Sequence, residues 1–193
     1  MKKMKPNYEI IAFKDSSTWR LWLDENHAKI DGVWLRLYKK ASGVPTVSYA
    51  EALDEALCYG WIDGQKKSYD DDSFLQKFTP RRPRSMWSKR NIERIGRLKD
   101  AGLMNPAGLL EVEKAQLDGR WEAAYDAPSN MQVPDYFLEE LRKHPKAELF
   151  YNGLNKTNKY AIAWRLQTAK TEATRLQRTK KFIAMLDAGE KLY

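Results

Sequence analysis

The spacing of apolar residues changes at Pro80. Up to that point, short runs with a period of two alternate with helical stretches. Beyond it, nearly every apolar residue falls at three- or four-residue steps. A period of two places successive side chains on opposite faces of a sheet, whereas a period of 3.6 lays an apolar stripe along a helix. A chain that switches once from the mixed pattern to the helical one reads as α+β, with its sheet drawn from the first part. The division predicts an α+β domain over residues 7–79 and a helical region over 80–193, joined by a basic connector at 80–90.

In the first part, Tyr8 to Phe13 is a β-rich run. Asp15 offers an N-cap to a helix that places Trp19, Trp22 and Leu23 on one buried face. After the Asp31-Gly32 turn, Val33, Leu35 and Leu37 alternate with Trp34, Arg36 and Tyr38 along a strand. Ser42-Gly43 turns the chain again. Ser48 and Glu51 form a capping box for a helix from Tyr49 to about Tyr59, which buries Ala52, Leu53, Ala56 and Leu57 and stops at Gly60. Trp61-Ile62 opens another strand, Asp63-Gly64 marks a tight turn or bulge, and Ser73 to Thr79 supplies the last strand. The expectation is a small mixed or antiparallel sheet of four or five strands with two helices, packed on a helical region that ends in one long helix.

Past Pro80 the punctuation is that of helices. Pro83 keeps the 81–84 segment from being helical throughout. A helix starting between Ser85 and Ser88 turns Ile92, Ile95 and Leu98 inward and ends at Gly102. Asn105-Pro106 opens the next, which runs to Gly119, and Pro134 and Pro145 set off two short ones. From Asn155 to Gly189 the steps between Ile162, Leu166, Ala169, Ala173, Leu176, Ile183 and Leu186 predict a single long amphipathic helix, with Ala169 and Ala173 admitting a close neighbour.

With 193 residues, 42% of them apolar and 12% aromatic, the chain can bury a core, which excludes disorder as its main description. Its apolar runs are too short to span a bilayer, and Met1 to Pro6 lead into no signal-peptide pattern, so a cytoplasmic location is expected. One cysteine and two distant histidines point to no structural metal, no disulfide and no cofactor. The net charge of +8 is unevenly spread. Residues 1–79 balance at 12 basic and 12 acidic, 80–104 hold 8 against 2, 105–154 hold 5 against 9, and 155–193 hold 9 against 3.

The densest chemistry lies in Thr79 to Asn91. Arg81, Arg82 and Arg84 precede Ser85, Trp87, Ser88 and Lys89 near a helix N-terminus, where guanidiniums, hydroxyls and free amides all favour a phosphate or carboxylate. The alternative is that these arginines pair with acids of the 105–154 block such as Glu111, Glu113 and Asp118. Asp63, beside a glycine turn, is the one candidate for a general base, with Arg81 or Arg84 as anion clamp; a turn-capping carboxylate is the plainer role. Cys58 reads as buried filler rather than a nucleophile. Neither His27 nor His144 stands beside a nucleophile motif, and no Gly-x-Ser-x-Gly occurs. Asp70-Asp71-Asp72 reads as a solvated turn. The tryptophans read mainly as core, with Trp34, Trp61 and Trp87 placed to expose a ring. On the last helix, Arg165, Lys170, Arg175, Arg178, Lys180 and Lys181 flank the apolar seam, as they would for an acidic partner, a phosphate backbone or solvent alone.

Four separated segments, Tyr49 to Gly64, Phe78 to Asn91, Asp118 to Tyr125 and Ala169 to Arg175, resemble the YdeI/OmpD-associated family, also called bacteriocin-protection. The resemblance implies a small bacterial cytosolic protein with an α+β first half and a helical C-terminal region. It brings no catalytic residue or cofactor with it. Three functions follow as expectations. One is a non-enzymatic stress or tolerance protein that binds an anionic small molecule or an acidic protein surface through residues 81–89, at the junction of the two parts. Another is an enzyme on a small phosphorylated or carboxylated substrate with Asp63 as base. The last is a nucleic-acid binder using the Arg81–Arg97 block with the final helix.

Overall fold

The computed structural model describes residues 8–126, 130–169 and 171–193; the lysines before residue 8 and Lys170 lie outside them. The chain is α+β and forms two compact units. One comprises the residues up to Trp87 together with Asn91–Ala123; the other comprises Ser88–Arg90 and Ala124–Tyr193.

The first unit is built on a four-stranded mixed sheet in the order β1-β2-β4-β3. Its strands are β1 (Ile10–Ile11), β2 (Val33–Tyr38), β3 (Trp61–Ser68) and β4 (Ser73–Pro80). β1 runs parallel to β2, and the other pairs are antiparallel. Between β1 and β2 the chain crosses over through α1 (Ser16–Asn26), which Asp15 caps by accepting from the Thr18 amide at 2.8 Å. The predicted alternation in β2 holds: Val33, Leu35 and Leu37 are buried, while Trp34, Arg36 and Tyr38 are half-buried. Trp19 and Leu23 are fully buried, and Trp22 is half-buried because it lies at the edge of an aromatic cluster. It stacks on Trp19 at 5.1 Å and meets Trp61 edge-on at 6.1 Å. Trp61 and Trp87 are core residues rather than exposed platforms.

α2 (Tyr49–Cys58) starts with the predicted capping box and ends ahead of Gly60, whose φ of +73° suits glycine. Asp63-Gly64 does not turn the chain back. β3 runs on to Ser68, and the ladder register shifts between Asp63 and Lys66, the bulge expected there. Asp70–Asp72 make the β3–β4 turn: Asp70 accepts from Ser73 Oγ at 2.6 Å and from the Asp72 amide at 3.1 Å.

Two helices follow, α3 (Lys89–Asp100) and α4 (Pro106–Leu117), the latter capped by Asn105. α4 rests backbone against backbone on the end of α2. A methyl on Gly108 would stand 2.1 Å from the Cys58 carbonyl oxygen, so only glycine permits the approach. Cys58 is buried, as expected of filler, and burial pushes its thiol pKa up.

The second unit contains α5 (Asp135–Leu141), α6 (Pro145–Asn152), α7 (Lys156–Gln167) and α8 (Glu172–Asp187) around Phe137, Leu141, Tyr151, Ile162, Leu166 and Phe182. A long C-terminal helix is present as α8, but the run predicted from Asn155 to Gly189 is two helices. α7 stops at Thr168, and Thr171 restarts the chain by accepting from the Thr174 amide at 3.2 Å. Two corrections follow from this break. Ala173 and Leu176 are exposed rather than part of a seam, and Ala169 is buried outside either helix. The basic residues close the break: Arg178 donates to the Arg165 carbonyl, and Arg175 donates to that of Ala169 at 3.3 Å. Both meet the unsatisfied carbonyls at the α7 end. Among the described residues no helix is long and apolar enough to cross a membrane.

Candidate functional site

The predicted basic segment divides into residues that are locked in place and residues that are exposed. β4 ends at Pro80, and the Arg81 amide donates to the Gly60 carbonyl at 3.0 Å, which carries Arg81 inward. Arg81 is 6% exposed. Its guanidinium lies 3.5 Å from the centroid of the Trp87 ring and donates to Ser85 Oγ and the Met86 carbonyl at 3.3 Å. Arg120, 8% exposed, joins the same cluster: Nη1 donates to the Ser85 carbonyl at 3.0 Å and Nε to Asp118 at 2.7 Å. Trp121 completes it with its ring 5.0 Å from Trp87. The Trp87 indole N–H is buried without a hydrogen-bond partner among the described residues. Sequence reasoning left Arg120 and Trp121 out of the site. Their signal was the Asp118-Gly-Arg-Trp run, which had been noted only for its resemblance.

Between Arg81 and Ser85 the chain makes a tight turn closed by the Ser85 amide on the Arg82 carbonyl at 3.0 Å. Pro83 takes the second position, and Arg84 takes the third with φ +67°. This is the arrangement of a type II turn, whose third position favours glycine or asparagine. Arg84 is the one non-glycine residue with positive φ among the described residues. Both Arg82 and Arg84 are exposed, and among the described residues neither side chain has an ion pair or hydrogen bond. Glu111, named as an alternative partner, pairs instead with Lys114 at 2.7 Å, and Asp118 pairs with Arg120.

The other predicted site residues have contacts of their own. In the second unit, Ser88 bridges to Tyr125, and Lys89 is exposed with its ammonium 2.7 Å from Asp126. In the first, Asp63 accepts from the Tyr49 hydroxyl at 2.8 Å. It faces Phe78 across the ladder, while Arg81 bonds to Gly60. Three residues of strand, about 10 Å, separate the two levels. Of the other arginines of the basic block, Arg94 and Arg97 both pair with Asp54 on α2, and Arg90 is exposed.

Two family models match the chain. Residues 11–111, more than half of it, match the Domain of unknown function (DUF8412), and residues 130–189 match Bacteriocin-protection, YdeI or OmpD-Associated. The chain belongs to the DUF8412 family, and its last part carries the match to the bacteriocin-protection, YdeI or OmpD-associated domain. The predicted resemblance thus holds for the segment from Ala169, while Tyr49 to Gly64 and Phe78 to Asn91 fall within the DUF8412 match. No curated protein and no solved structure matches it. The Arg82–Arg84 turn therefore belongs to the DUF8412 part.

Proposed function

We propose that the protein is a non-enzymatic bacterial tolerance protein of the cytoplasm that works by binding an anionic group, either a small molecule or an acidic protein surface. The anion is received on the Arg82-Pro83-Arg84 turn, with Ser85 and the Arg81–Trp87 stack as its rigid base. The observation that carries this reading is Arg84. A left-handed arginine costs about 1–2 kcal/mol relative to an unstrained backbone, and nothing within the described structure rewards it with a partner. Pro83, between Arg82 and Arg84, fixes the backbone of the turn, so the ordering cost of binding falls on the two arginine side chains.

The test is a thermal shift against inorganic phosphate and citrate at millimolar concentration. Stabilisation should amount to about 2 °C or more at ligand well above Kd. Arg84→Ala should lose the shift. An unchanged shift in an Arg82→Ala/Arg84→Ala double variant, or no shift with either anion, defeats the proposal.

A further inference from the structure

In the first unit, α1 and α2 lie on the same face of the sheet. Val33, Leu35, Leu37 and Phe78 point to that face and are buried; Trp19 of α1 meets the Phe78 ring there at 5.8 Å, and Tyr49 of α2 reaches Asp63, the ladder partner of Phe78. Strand alternation sends their neighbours to the other side. The register sets Ile10 and Lys77 beside Trp34, and Arg36 and Lys67 on either side of Leu75. Ile10 and Lys67 are exposed, and Trp34, Arg36, Tyr38 and Lys77 are half-buried. The outer face of a sheet packed on one side is ordinarily polar. This one carries aromatic rings among cations.

The charge on this face has one sign. Among the described strand residues none on that side is acidic, and Asp70 in the β3–β4 turn is taken by Arg36, whose Nη2 lies 2.6 Å away. Arg36 is thereby fixed, and its guanidinium rests against both the Tyr38 ring at 4.5 Å and the Tyr69 ring at 5.0 Å. Tyr69 is 49% exposed, so the arginine backs part of the phenol and solvent meets the rest. Lys67 and Lys77 have no ion pair or hydrogen bond among the described residues. Their ammoniums stand over rings instead, Lys67 4.3 Å from Trp34 and Lys77 5.8 Å from both Trp34 and Tyr8. An exposed cation–π contact is weaker than a nucleobase stacked on an indole, so a base displaces the lysine head, and the freed ammonium turns to the neighbouring phosphate.

We infer that this face binds single-stranded nucleic acid, with bases stacked on Trp34 and Tyr69 and phosphates on Lys67 and Lys77. The rings favour unpaired bases over a duplex, whose base faces are hidden, and over an acidic protein, which needs only the cations. None of these residues belongs to the Arg81–Arg97 block from which nucleic-acid binding was expected, a block that includes the Arg82–Arg84 turn.

Fluorescence polarisation of labelled oligothymidylate and oligouridylate of about ten nucleotides should show saturable binding in roughly the micromolar range at about 50 mM salt, the tighter strand identifying the preferred sugar. Two phosphate contacts predict about sevenfold weaker binding at about 200 mM salt, and a Lys67→Gln/Lys77→Gln double variant should bind more weakly and flatten that dependence. Trp34→Ala should weaken binding about tenfold. Tyr69→Ala, at an exposed position in the turn, should weaken it about fivefold with the melting temperature unchanged, which tests stacking without loss of the fold. Four results overturn the inference: no saturable binding up to about 100 μM strand, a duplex of the same length binding as tightly, polyglutamate displacing the strand at equal charge concentration, or full affinity in both ring variants. Arg84→Ala, measured alongside, should bind the strand normally, which separates this result from the fate of the anion proposal; loss of binding there would place the strand on the basic turn and overturn the assignment to the sheet.

Discussion

The two units bury themselves by different means. Six of the seven tryptophans lie in the sheet-containing unit and only Trp164 in the helical one. In the first, indoles fill the core and also take up cations: Arg81 lies on Trp87, and Lys67 lies 4.3 Å from Trp34. Packing there extends to the backbone, where α4 meets α2 at Gly108. In the second, helices packed through Phe, Tyr, Leu, Ile and Ala leave a space between α5 and α8. The lesson is that the arginines most evident in the sequence divide between the core, where Arg81 lies on Trp87, and an exposed turn, where Arg82 and Arg84 stand.

This contrast can be broken by experiment. The largest effect is expected at Gly108→Ala, which should cost about 3 kcal/mol in urea unfolding because backbone must move to admit one methyl. A loss below about 1 kcal/mol would mean that α4 is not held against α2 as closely as described. Ser48→Ala, which removes the capping box, should cost about 1 kcal/mol. Arg84→Gly should go the other way, raising stability by about 0.5 kcal/mol as the left-handed strain is relieved against the added chain entropy, while abolishing the anion-induced shift. If it destabilises, the arginine holds the turn and the proposed role is wrong. Ala184→Leu, which adds bulk to the hollow, should change stability by less than about 0.5 kcal/mol, the counterpart to Gly108→Ala.

The smallest effect is a pH dependence. Hydrogen bonds from Thr18, Ser48 and Ser73 hold the carboxyls of Asp15, Glu51 and Asp70 below their ordinary values. The stability they contribute is complete above the ordinary carboxyl range near pH 4 and is lost as pH falls through the lower folded values. Circular dichroism followed from about pH 5 to 2 should show the loss, and a flat profile would argue that these caps contribute nothing.

Much of this was legible beforehand. Side-chain caps such as Asp15, Ser48 and Asn105 are local devices, since a hydroxyl or carboxylate reaches only the next turn, and each acts where it was read. The alternation in β2 was equally plain because one face of the sheet is buried. What failed was continuity between Ile162 and Leu186. The three- and four-residue steps survive across the break at Thr168–Thr171, and periodicity cannot register a stop made by hydroxyl caps and by arginines from the following helix. The candidate site was partly visible for a related reason. The cluster of arginines could be counted, but the sorting of Arg81 into the core and Arg84 onto a left-handed turn depends on Gly60 and Trp87, which are brought up by the fold. The α5–α8 hollow had no sequence signal, because His144, Thr179 and Lys180 are ordinary residues until two helices leave space between them.

The bulge in β3 also bears on how the molecule behaves among its own copies. β3 forms one margin of the sheet, and a long flat margin is an open template for another chain to add its strand. The register shift between Asp63 and Lys66 interrupts that template, and the exposed Lys66 and Lys67 place like charges where a second molecule would have to dock. The opposite margin, β1, is two residues long and offers little to copy. Replacing the two lysines with threonine and valine should open the route to strand-by-strand aggregation, read as turbidity at high concentration.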